Sequence, residues 1–317
     1  MTMHTPLPPD TDERDGDPSE ESTPACILVF NASDPSGAGG LTGDIATIAS
    51  VGGHAIAVVT GAYARDTAQI FDHFCLDDEA VAEQARAVLE DLPVQAIKVG
   101  FVGSTENIST IAEIAADYDD VPVIAYMPNL SWWREELIDE YLDAFRELLL
   151  PQTSVLVGNH STLWRWLLPD WSSDRSPTPR DIARAASEMG VPYTLVTGIP
   201  LPEQFVDNVL ASPQTVLGNN KFELFDATFS GAGDTLSAAL TALVGSGNDL
   251  SEATSEALNY LDRCLDAGFR PGMGHIIPDR MFWAQPEDDE SEDSEADSLD
   301  ETQAIEGFVM PPHDTKH

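Results

Sequence analysis

Basic residues are scarce in this chain. Its 317 residues include 55 aspartates and glutamates but only 15 lysines and arginines, which gives a formal net charge of -40. A field this negative repels nucleic acid and anionic lipid, so we expect neither a nucleic acid nor a membrane as a partner. The acidic excess extends through the middle of the chain, which is typical of a halophilic surface, because high salt screens self-repulsion.

Cysteines and long apolar runs are also scarce. Cys26, Cys75 and Cys264 lie far apart without a CxxC pair, which favours buried thiols in a reducing compartment over a disulfide or a zinc site. No stretch of the sequence approaches the roughly 20 apolar residues that a membrane helix needs. Residues 1–23 lack the apolar run of a signal peptide. We therefore expect a soluble, cytoplasmic protein.

The two ends of the chain differ in composition from the region between them. Residues 1–24 and 285–317 are dominated by acidic and small polar residues, and they offer too little apolar surface to fold. Residues 25–284 instead alternate short apolar runs with longer segments of helical periodicity. This pattern predicts one folded domain at 25–284, flanked by a disordered acidic tail on each side.

The folded region predicts strands and helices in alternation. Strands are predicted at 25–30, 54–60, 94–99, 121–126, 154–157 and 193–196. Helices are predicted at 41–51, 81–92, 107–118, 135–150, 179–189, 234–244 and 250–267. Apolar strands that are separated by helices indicate a mainly parallel sheet that is covered on both faces. Ligands of such sheets bind beyond the carboxyl ends of the strands, which is where the glycine-rich motifs of this chain fall.

A tight glycine turn precedes the helix predicted at 234–244. It consists of Gly231, Ala232, Gly233 and Asp234. Glycines let the backbone approach a ligand closely, and the free N–H groups of a helix N-terminus favour an anion such as phosphate. A carboxylate in this position can accept the proton of a hydroxyl that attacks a phosphoryl group. The turn therefore predicts a small-molecule kinase, although a plain helix cap is the simpler alternative.

Three further motifs precede this turn. Residues 31–41 read NASDPSGAGGL, with Asp44 one helical turn further, residues 61–67 read GAYARDT, and residues 97–103 read IKVGFVG. In this order and at these spacings, the chain resembles the hydroxymethylpyrimidine and phosphomethylpyrimidine kinases of thiamine biosynthesis. These enzymes belong to the ribokinase superfamily, as do the pyridoxal kinases. The resemblance covers about residues 26–283, and it implies a ribokinase-like three-layer α/β/α sandwich with a mainly parallel central sheet.

The resemblance also implies a role for each motif. The wall of the substrate pocket would be formed by Asp34, Gly37, Gly39 and Gly40. Asp44 and Arg65 would hold the substrate, a small pyrimidine. The backbone of Gly231, Ala232 and Gly233 would stabilise charge on the transferring phosphoryl group, while Asp234 would take the hydroxyl proton. The nucleotide would meet Asn159, Thr197 and Gly198. The implied cofactors are ATP and Mg²⁺, with Mg²⁺ bridging the phosphates, and the implied assembly is a homodimer.

Several positions depart from the family's pattern. The Asn-x-x-Glu motif, whose acid helps to position magnesium, aligns with residues 159–162 and ends in Thr162. The acid expected at the end of a strand falls at Ala125, followed by Tyr126, and a phosphate-side lysine falls at Thr197. Each lost charge contact could weaken nucleotide binding by on the order of 1.5–3 kcal/mol. The residues that would hold a metal therefore stay unknown at this stage.

Two basic residues lie near these motifs. Lys98 ends a predicted strand, and we expect it to pair with a carboxylate because lysine is seldom buried without a partner. Arg65 replaces a glutamine that reads the pyrimidine. It is either a surface residue that balances Asp66 or a clamp for a substrate phosphate, and we favour the clamp because a phosphomonoester suits a bidentate cation.

Three functions stay open from the sequence. The first is an ATP-dependent pyrimidine kinase, in which Asp234 replaces a cysteine of the pyrimidine kinases and is ionised at neutral pH. The second is a pyridoxal-type vitamin kinase on the same fold. The third is a non-catalytic pyrimidine-binding sensor or scaffold, a degenerate kinase that kept the pocket and lost the metal side.

Overall fold

The computed structural model describes residues 23–284 of the chain. Contacts separate a first unit, which contains almost all of these residues, from a second unit that begins at Ala284. The tails predicted at 1–24 and 285–317 lie outside the described residues, apart from residues 23 and 24. The fold given below is that of the first unit.

Strands and helices alternate along the described residues. The strands are β1 (Cys26–Ser33), β2 (His54–Arg65), β3 (Ile70–Cys75), β4 (Ala96–Val99), β5 (Val123–Met127), β6 (Val155–Asn159), β7 (Tyr193–Leu201), β8 (Phe205–Ala211) and β9 (Val216–Glu223). The helices are α1 (Gly40–Ser50), α2 (Asp78–Leu89), α3 (Thr105–Asp117), α4 (Glu135–Ala144), α5 (His160–Leu167), α6 (Pro179–Ser187), α7 (Ala232–Gly245) and α8 (Leu250–Asp266). Short 3₁₀ turns lie at Leu150–Gln152 and Phe282–Ala284.

The strands form one sheet in the order β3-β2-β1-β4-β5-β6-β7-β8-β9. The five pairings from β2 to β7 are parallel, whereas β3, β8 and β9 are added in antiparallel orientation at the two edges. The α/β fold with a mainly parallel central sheet, predicted from the sequence, is therefore confirmed. The motif-bearing loops follow the carboxyl ends of the parallel strands, as the rule for such sheets requires.

Strand β1 shows why the central strands lack polar alternation. Its residues Leu28 and Phe30 point into the cluster that packs against α2 and α3. The intervening Ile27 and Val29 point to the opposite face, into the cluster formed with α1 and α7. All four side chains are fully buried. Because both faces of the strand are covered by helices, these four successive positions are all apolar, and the sheet forms the middle of three layers.

The edge strands β3, β8 and β9 and the short helix α5 were not predicted. The turn that joins β7 to β8 places Glu203 and Gln204 in the left-handed region, with φ of 62° and 59°. Hairpin turns of this kind usually carry asparagine or glycine, and neither residue stands at these two positions, so the hairpin was not predicted. In β3, Phe71 and Phe74 are three residues apart and are 60% and 62% exposed. The strand therefore lacks the alternation of apolar and polar residues that marks a half-buried strand.

Two other expectations need correction. The helix predicted at 135–150 is not regular throughout, because α4 ends at Ala144 and continues as a π-helical turn at Phe145–Leu149. The cysteines are not all buried: Cys26 and Cys264 are, whereas Cys75 is exposed at the end of the edge strand β3. All three thiols are free.

The helices of the described part of the chain, between residues 23 and 284, are too short or too polar to span a bilayer.

Candidate active site

Strands β1 and β4 carry two polar side chains to the carboxyl edge of the sheet. Asn31 lies near the end of β1, and Lys98 lies in β4, where it pairs with Val29 across the strands. The neighbours of Lys98 in β4, Ile97 and Val99, face the opposite side of the sheet. Asn31 and Lys98 therefore share the face that is covered by α1 and α7, and both are almost fully buried.

Lys98 joins two carboxylates that are distant in sequence. Its Nζ lies 2.7 and 2.8 Å from the two oxygens of Asp44 in α1, and 3.0 Å from Oδ1 of Asp234 in α7. The side chains of Lys98 and Asp44 have no exposed surface, whereas 19% of the Asp234 side chain is exposed. The carboxylate partner expected for Lys98 is thus present. Of the three side chains in this Lys98 cluster (Asp44, Lys98 and Asp234), only that of Asp234 reaches solvent.

The Asp234 carboxylate is held by further donors. The Asn31 side-chain amide donates to Asp234 Oδ1 at 3.1 Å and to Asp44 Oδ2 at 2.8 Å. The backbone N–H of Gly40 donates to Asp234 Oδ2 at 2.9 Å. A side chain at Gly39 would place its Cβ only 2.7 Å from the same oxygen, so residue 39 has to be glycine. The predicted pocket-wall glycines and Asp234 therefore lie in direct contact.

The charges in this cluster shift the pKa values of its members in different directions. Burial raises the pKa of Asp44 to about 6, because the nearby Lys98 charge offsets burial only in part and the Asp234 charge adds to it. Burial also opposes ionisation of Asp234, but Lys98, the Gly40 N–H and Asn31 outweigh it and hold the pKa of Asp234 below its usual value. Burial disfavours the Lys98 ammonium, yet the two carboxylates raise the pKa of Lys98 above its usual value.

The glycine turn packs directly on the loop that follows β1. Gly231 caps α7 with a φ of 89°, and a Cβ on this residue would overlap the carbonyl oxygen of Ala38. Within the described residues, the N–H groups of Ala232 and Gly233 have no hydrogen-bond acceptor. A helix N-terminus with free N–H groups beside an ionised carboxylate can stabilise an anion and accept a proton at neighbouring points.

Arg280 holds the turn and the loop together, and the sequence did not indicate this role. Its guanidinium donates to the carbonyl oxygens of Gly37 at 3.2 Å and Ala38 at 2.6 Å, and to Thr235 Oγ1 at 3.0 Å. The residue is only 6% exposed. The sequence around residue 280 carries no signal for this role, because the groups that Arg280 contacts lie 45 to 243 residues away in the chain.

Asp34 and Arg65 form a second charged pair beside the cluster. Asp34 is buried, and its Oδ2 accepts from the Gly39 N–H at 2.9 Å and from Arg65 Nη1 at 3.2 Å. The Arg65 side chain is only 9% exposed, and its Nε also donates to the carbonyl oxygen of Asp66 at 3.0 Å, so both the Asp66 contact and a position beside the pocket are present. Arg65 Nη2 also lies 3.4 Å from the Ser230 hydroxyl, which is 3.1 Å from Nδ1 of His275.

A cavity of about 530 Å³ opens next to this pair. It is lined by Ser36, Arg65 and the loop at 272–274, among others. Its size lies in the range of small-molecule sites. The position leaves room for a substrate group on the solvent side of the guanidinium.

The three residues predicted at the nucleotide lie together, but on other strands. Asn159 at the end of β6 pairs with Thr197 in β7. The Asn159 side chain caps α5 by accepting the Ser161 N–H at 3.0 Å, and the N–H of Gly198 donates to Asn208 Oδ1 at 3.0 Å. All these groups are neutral. Strand β5 separates this set from the Lys98 cluster on β1 and β4.

The described residues do not fit a metal ion held directly by protein side chains. Between residues 23 and 284, no group of three or more His, Cys, Asp or Glu side chains is arranged to bind a metal. The carboxylates of Asp34, Asp44 and Asp234 are already occupied by hydrogen-bond donors.

The sequence of this chain is similar to those of known kinases. A family model described as phosphomethylpyrimidine kinase matches residues 34–279. The chain is 28% identical over 268 residues to a hydroxymethylpyrimidine/phosphomethylpyrimidine kinase from Streptomyces coelicolor, which covers 84% of this chain and 98% of that relative. A protein of the same name from Escherichia coli is 24% identical over 261 residues, covering 79% of this chain and 94% of the relative.

Solved structures show the same fold. An ADP complex of Bacillus subtilis pyridoxal kinase superposes with a TM-score of 0.73 at 21% identity, covering 83% of this chain and 99% of that one. A phosphomethylpyrimidine kinase from Clostridium difficile superposes with a TM-score of 0.61 at 20% identity, covering 74% and 98%. At these identities the structural similarity establishes the ribokinase-like fold and not the substrate.

Proposed function

The chain belongs to the phosphomethylpyrimidine kinase family, and from this premise we propose that it transfers a phosphoryl group from ATP to hydroxymethylpyrimidine or its monophosphate. Relatives that span most of the chain carry the name of that activity. The observation that carries the proposal is the partly exposed Asp234 carboxylate, fixed by Lys98 and the Gly40 N–H beside free amides at the start of α7.

In the proposed reaction, Asp234 accepts the proton of the attacking hydroxyl. The lowered pKa of Asp234 keeps its carboxylate ionised and ready to accept a hydrogen bond. A carboxylate of this kind is a weak base, but phosphoryl transfer passes through a loose transition state that needs little early proton removal. The main contributions are therefore orientation of the hydroxyl and stabilisation of charge by the N–H groups of Ala232 and Gly233.

The charge of the site differs from that of the protein as a whole. Three carboxylates, those of Asp34, Asp44 and Asp234, lie with three cationic side chains, those of Lys98, Arg65 and Arg280. The local sum is near zero although the chain carries a net charge of -40. This compensation supports binding of a polyanionic nucleotide, which the field of the whole protein would otherwise oppose.

The substrate is proposed to occupy the cavity beside Arg65; the predicted contact with Asp44 is not supported, because the Asp44 carboxylate is fully buried against Lys98 and does not line that cavity. Arg65 is already paired with Asp34, yet its guanidinium has five N–H donors and lines the cavity next to it. We propose that the unused donors hold a polar or phosphorylated substituent of the pyrimidine. Mg²⁺ that arrives with the nucleotide phosphates, and assembly as a homodimer, stay predictions.

The proposal is tested by measuring ADP release from the purified protein at low and high salt. The candidate substrates are hydroxymethylpyrimidine, its monophosphate and pyridoxal. We expect turnover with a pyrimidine to exceed turnover with pyridoxal, and turnover to increase with salt because screening lowers the repulsion of the nucleotide. No turnover with either pyrimidine at any salt concentration would contradict the proposal.

A pyridoxal-type kinase is the second candidate. It stays open because a solved pyridoxal kinase and a solved phosphomethylpyrimidine kinase both share this fold, and the fold alone does not separate the two substrates. The same assay decides between the two, because faster turnover of pyridoxal would reverse the assignment.

A non-catalytic pyrimidine sensor is the third candidate. It is favoured by the neutral side chains at Ala125, Thr162 and Thr197, where the family pattern carries charge. Isothermal titration calorimetry separates it from the kinases. A sensor binds hydroxymethylpyrimidine but shows no Mg²⁺-dependent binding of ATP.

A further inference from the structure

Tyr126 lies at the carboxyl end of β5, between the two sets of site residues described above. Strand β5 pairs with β4, which carries Lys98, and with β6, which carries Asn159. The Tyr126 side chain faces α7 and packs against the apolar cluster there. Its ring centroid is 5.9 Å from Lys98 Nζ. The residue thus extends from the sheet toward the first turn of α7.

The Tyr126 hydroxyl lies against the glycine turn. It occupies the position into which a side chain at Gly233 would project, and a Cβ on Gly233 would collide with it. Gly233 is the second residue of α7 and contributes one of the free N–H groups of the turn. A single hydroxyl is therefore placed beside the amides proposed to hold the phosphoryl group.

This hydroxyl is an unused donor. Within the described residues it forms no hydrogen bond, and the residue is only partly buried, although tyrosine hydroxyls in such sites usually find a partner. Burial, with the charges of Asp234 and Asp44, raises the pKa of Tyr126 well above its ordinary value. The phenol therefore stays protonated at neutral pH and can donate to an anion.

We propose that Tyr126 is a further catalytic residue, whose hydroxyl donates a hydrogen bond to the phosphoryl group held by the amides of Ala232 and Gly233. The inference rests on the proposed kinase function. In the reaction, the substrate oxygen forms a bond to the γ-phosphorus, the bond from that phosphorus to the bridging oxygen breaks, and ADP leaves. The substrate proton passes to Asp234, and Tyr126 keeps its own proton throughout.

The donor is needed because of what surrounds the phosphoryl group. The carboxylates of Asp234 and Asp44 lie near the amides proposed to hold it, and their negative charge opposes a second anion there. A neutral donor stabilises the developing charge without adding a buried ion that would itself require a partner. Tyr126 is placed to do this, and it directly follows Ala125, the position at which the family pattern carries an acid.

The test compares Tyr126→Phe with Tyr193→Phe. Tyr193 begins β7 and is 36% exposed, so its hydroxyl lies at the opposite end of a strand from the site and serves as a matched control. We expect Tyr126→Phe to lower kcat roughly 100-fold, as loss of one donor to a transition-state anion does. The KM values for ATP and the pyrimidine should stay close to those of the control. The thermal midpoint of unfolding should also match, because the hydroxyl has no partner in the folded protein.

Two outcomes would overturn the inference and can be told apart from failure of the proposed function. If the wild-type protein turns over the pyrimidine and Tyr126→Phe has the same kcat as Tyr193→Phe, the hydroxyl is not catalytic. If the loss appears only in KM, Tyr126 contributes to binding and not to the transition state. If the wild-type protein turns over no candidate substrate, the kinase function itself fails, and the role of Tyr126 fails with it.

Discussion

The two ends of the candidate site are built differently. At the end formed by β1 and β4, the buried Lys98 of β4 pairs with Asp44 of α1 and Asp234 of α7. On β6 and β7, Asn159 and Thr197 form only neutral hydrogen bonds with their surroundings. Buried ion pairs are tolerated only where partners and donors satisfy them. Substitutions in the Lys98 cluster should therefore lower the free energy of unfolding, whereas substitutions at Asn159 or Thr197 should change it little.

This difference indicates where selectivity and rate arise. In the proposed reaction, the Lys98 cluster fixes the orientation of Asp234 at the substrate end. The neutral end would offer the nucleotide hydrogen bonds but no charge, so we propose that the affinity for ATP comes from the amides of α7 and from the balance of charges around them. Changes at the first end should affect both stability and turnover, whereas changes at the second should affect nucleotide affinity.

Removing the cation from the paired end should give the largest effect on stability. Lys98→Met leaves Asp44 and Asp234 facing each other without a compensating charge. Breaking a buried ion pair on one side generally lowers the free energy of unfolding by about 3–5 kcal/mol. Denaturation with urea measures the loss. The matched control is Lys221→Met, since Lys221 is exposed and lies over the ring of Phe205. Equal midpoints for the two variants would show that the Lys98 cluster is not required for folding.

The pH dependence of stability should identify Asp44 as the titrating member of the paired end. Its pKa is raised from 3.8 to about 6 in the folded protein, so the folded state binds the proton more tightly than the unfolded state. The stability contributed by protonated Asp44 is therefore present below about pH 4 and is lost as the pH rises through 6.

This expectation is measured as the difference in unfolding free energy between the wild type and Asp44→Asn. Between pH 4 and 6 the wild type should lose up to about 3 kcal/mol relative to the variant, as a shift of about two pKa units requires. A difference that stays constant over this range would mean that Asp44 does not titrate there.

Adding a charge to the neutral end should have the smallest effect. Thr162 is the third residue of α5, and Thr162→Glu restores an acid where the family pattern has one. We expect the concentration of Mg²⁺ that supports half-maximal turnover to fall by about 10-fold, the lower end of the effect of one charged contact. Ser161→Glu, which adds the same charge at an exposed neighbouring position, is the control. An equal response in both variants would attribute the change to net charge alone.

The sequence predicted the parts of the structure that depend on local pattern. The apolar strands, the glycine turn and the burial of Lys98 follow from residues close together in the chain, and the parallel sheet was confirmed. The edge hairpin after β7 was missed because Glu203 and Gln204 turn the chain without glycine.

The contacts that complete the site were missed because they join residues far apart in the chain. The Asn31 to Asp234 hydrogen bond spans 203 residues, and the Arg280 to Ala38 bond spans 242. One sequence carries no local signal for such pairs. The unpaired hydroxyl of Tyr126 can be recognised only in the folded structure, where β5 packs against α7.

The most direct test of the central claim, that Asp234 accepts the substrate proton, is the rate of ADP release with hydroxymethylpyrimidine for Asp234→Asn. Asp119→Asn is the control, since Asp119 is exposed in the turn after α3. We expect the control to match the wild type and Asp234→Asn to lose at least about 1,000-fold in kcat, within the range of a general base, while calorimetry shows unchanged binding of the pyrimidine. Near wild-type turnover by Asp234→Asn would contradict the claim.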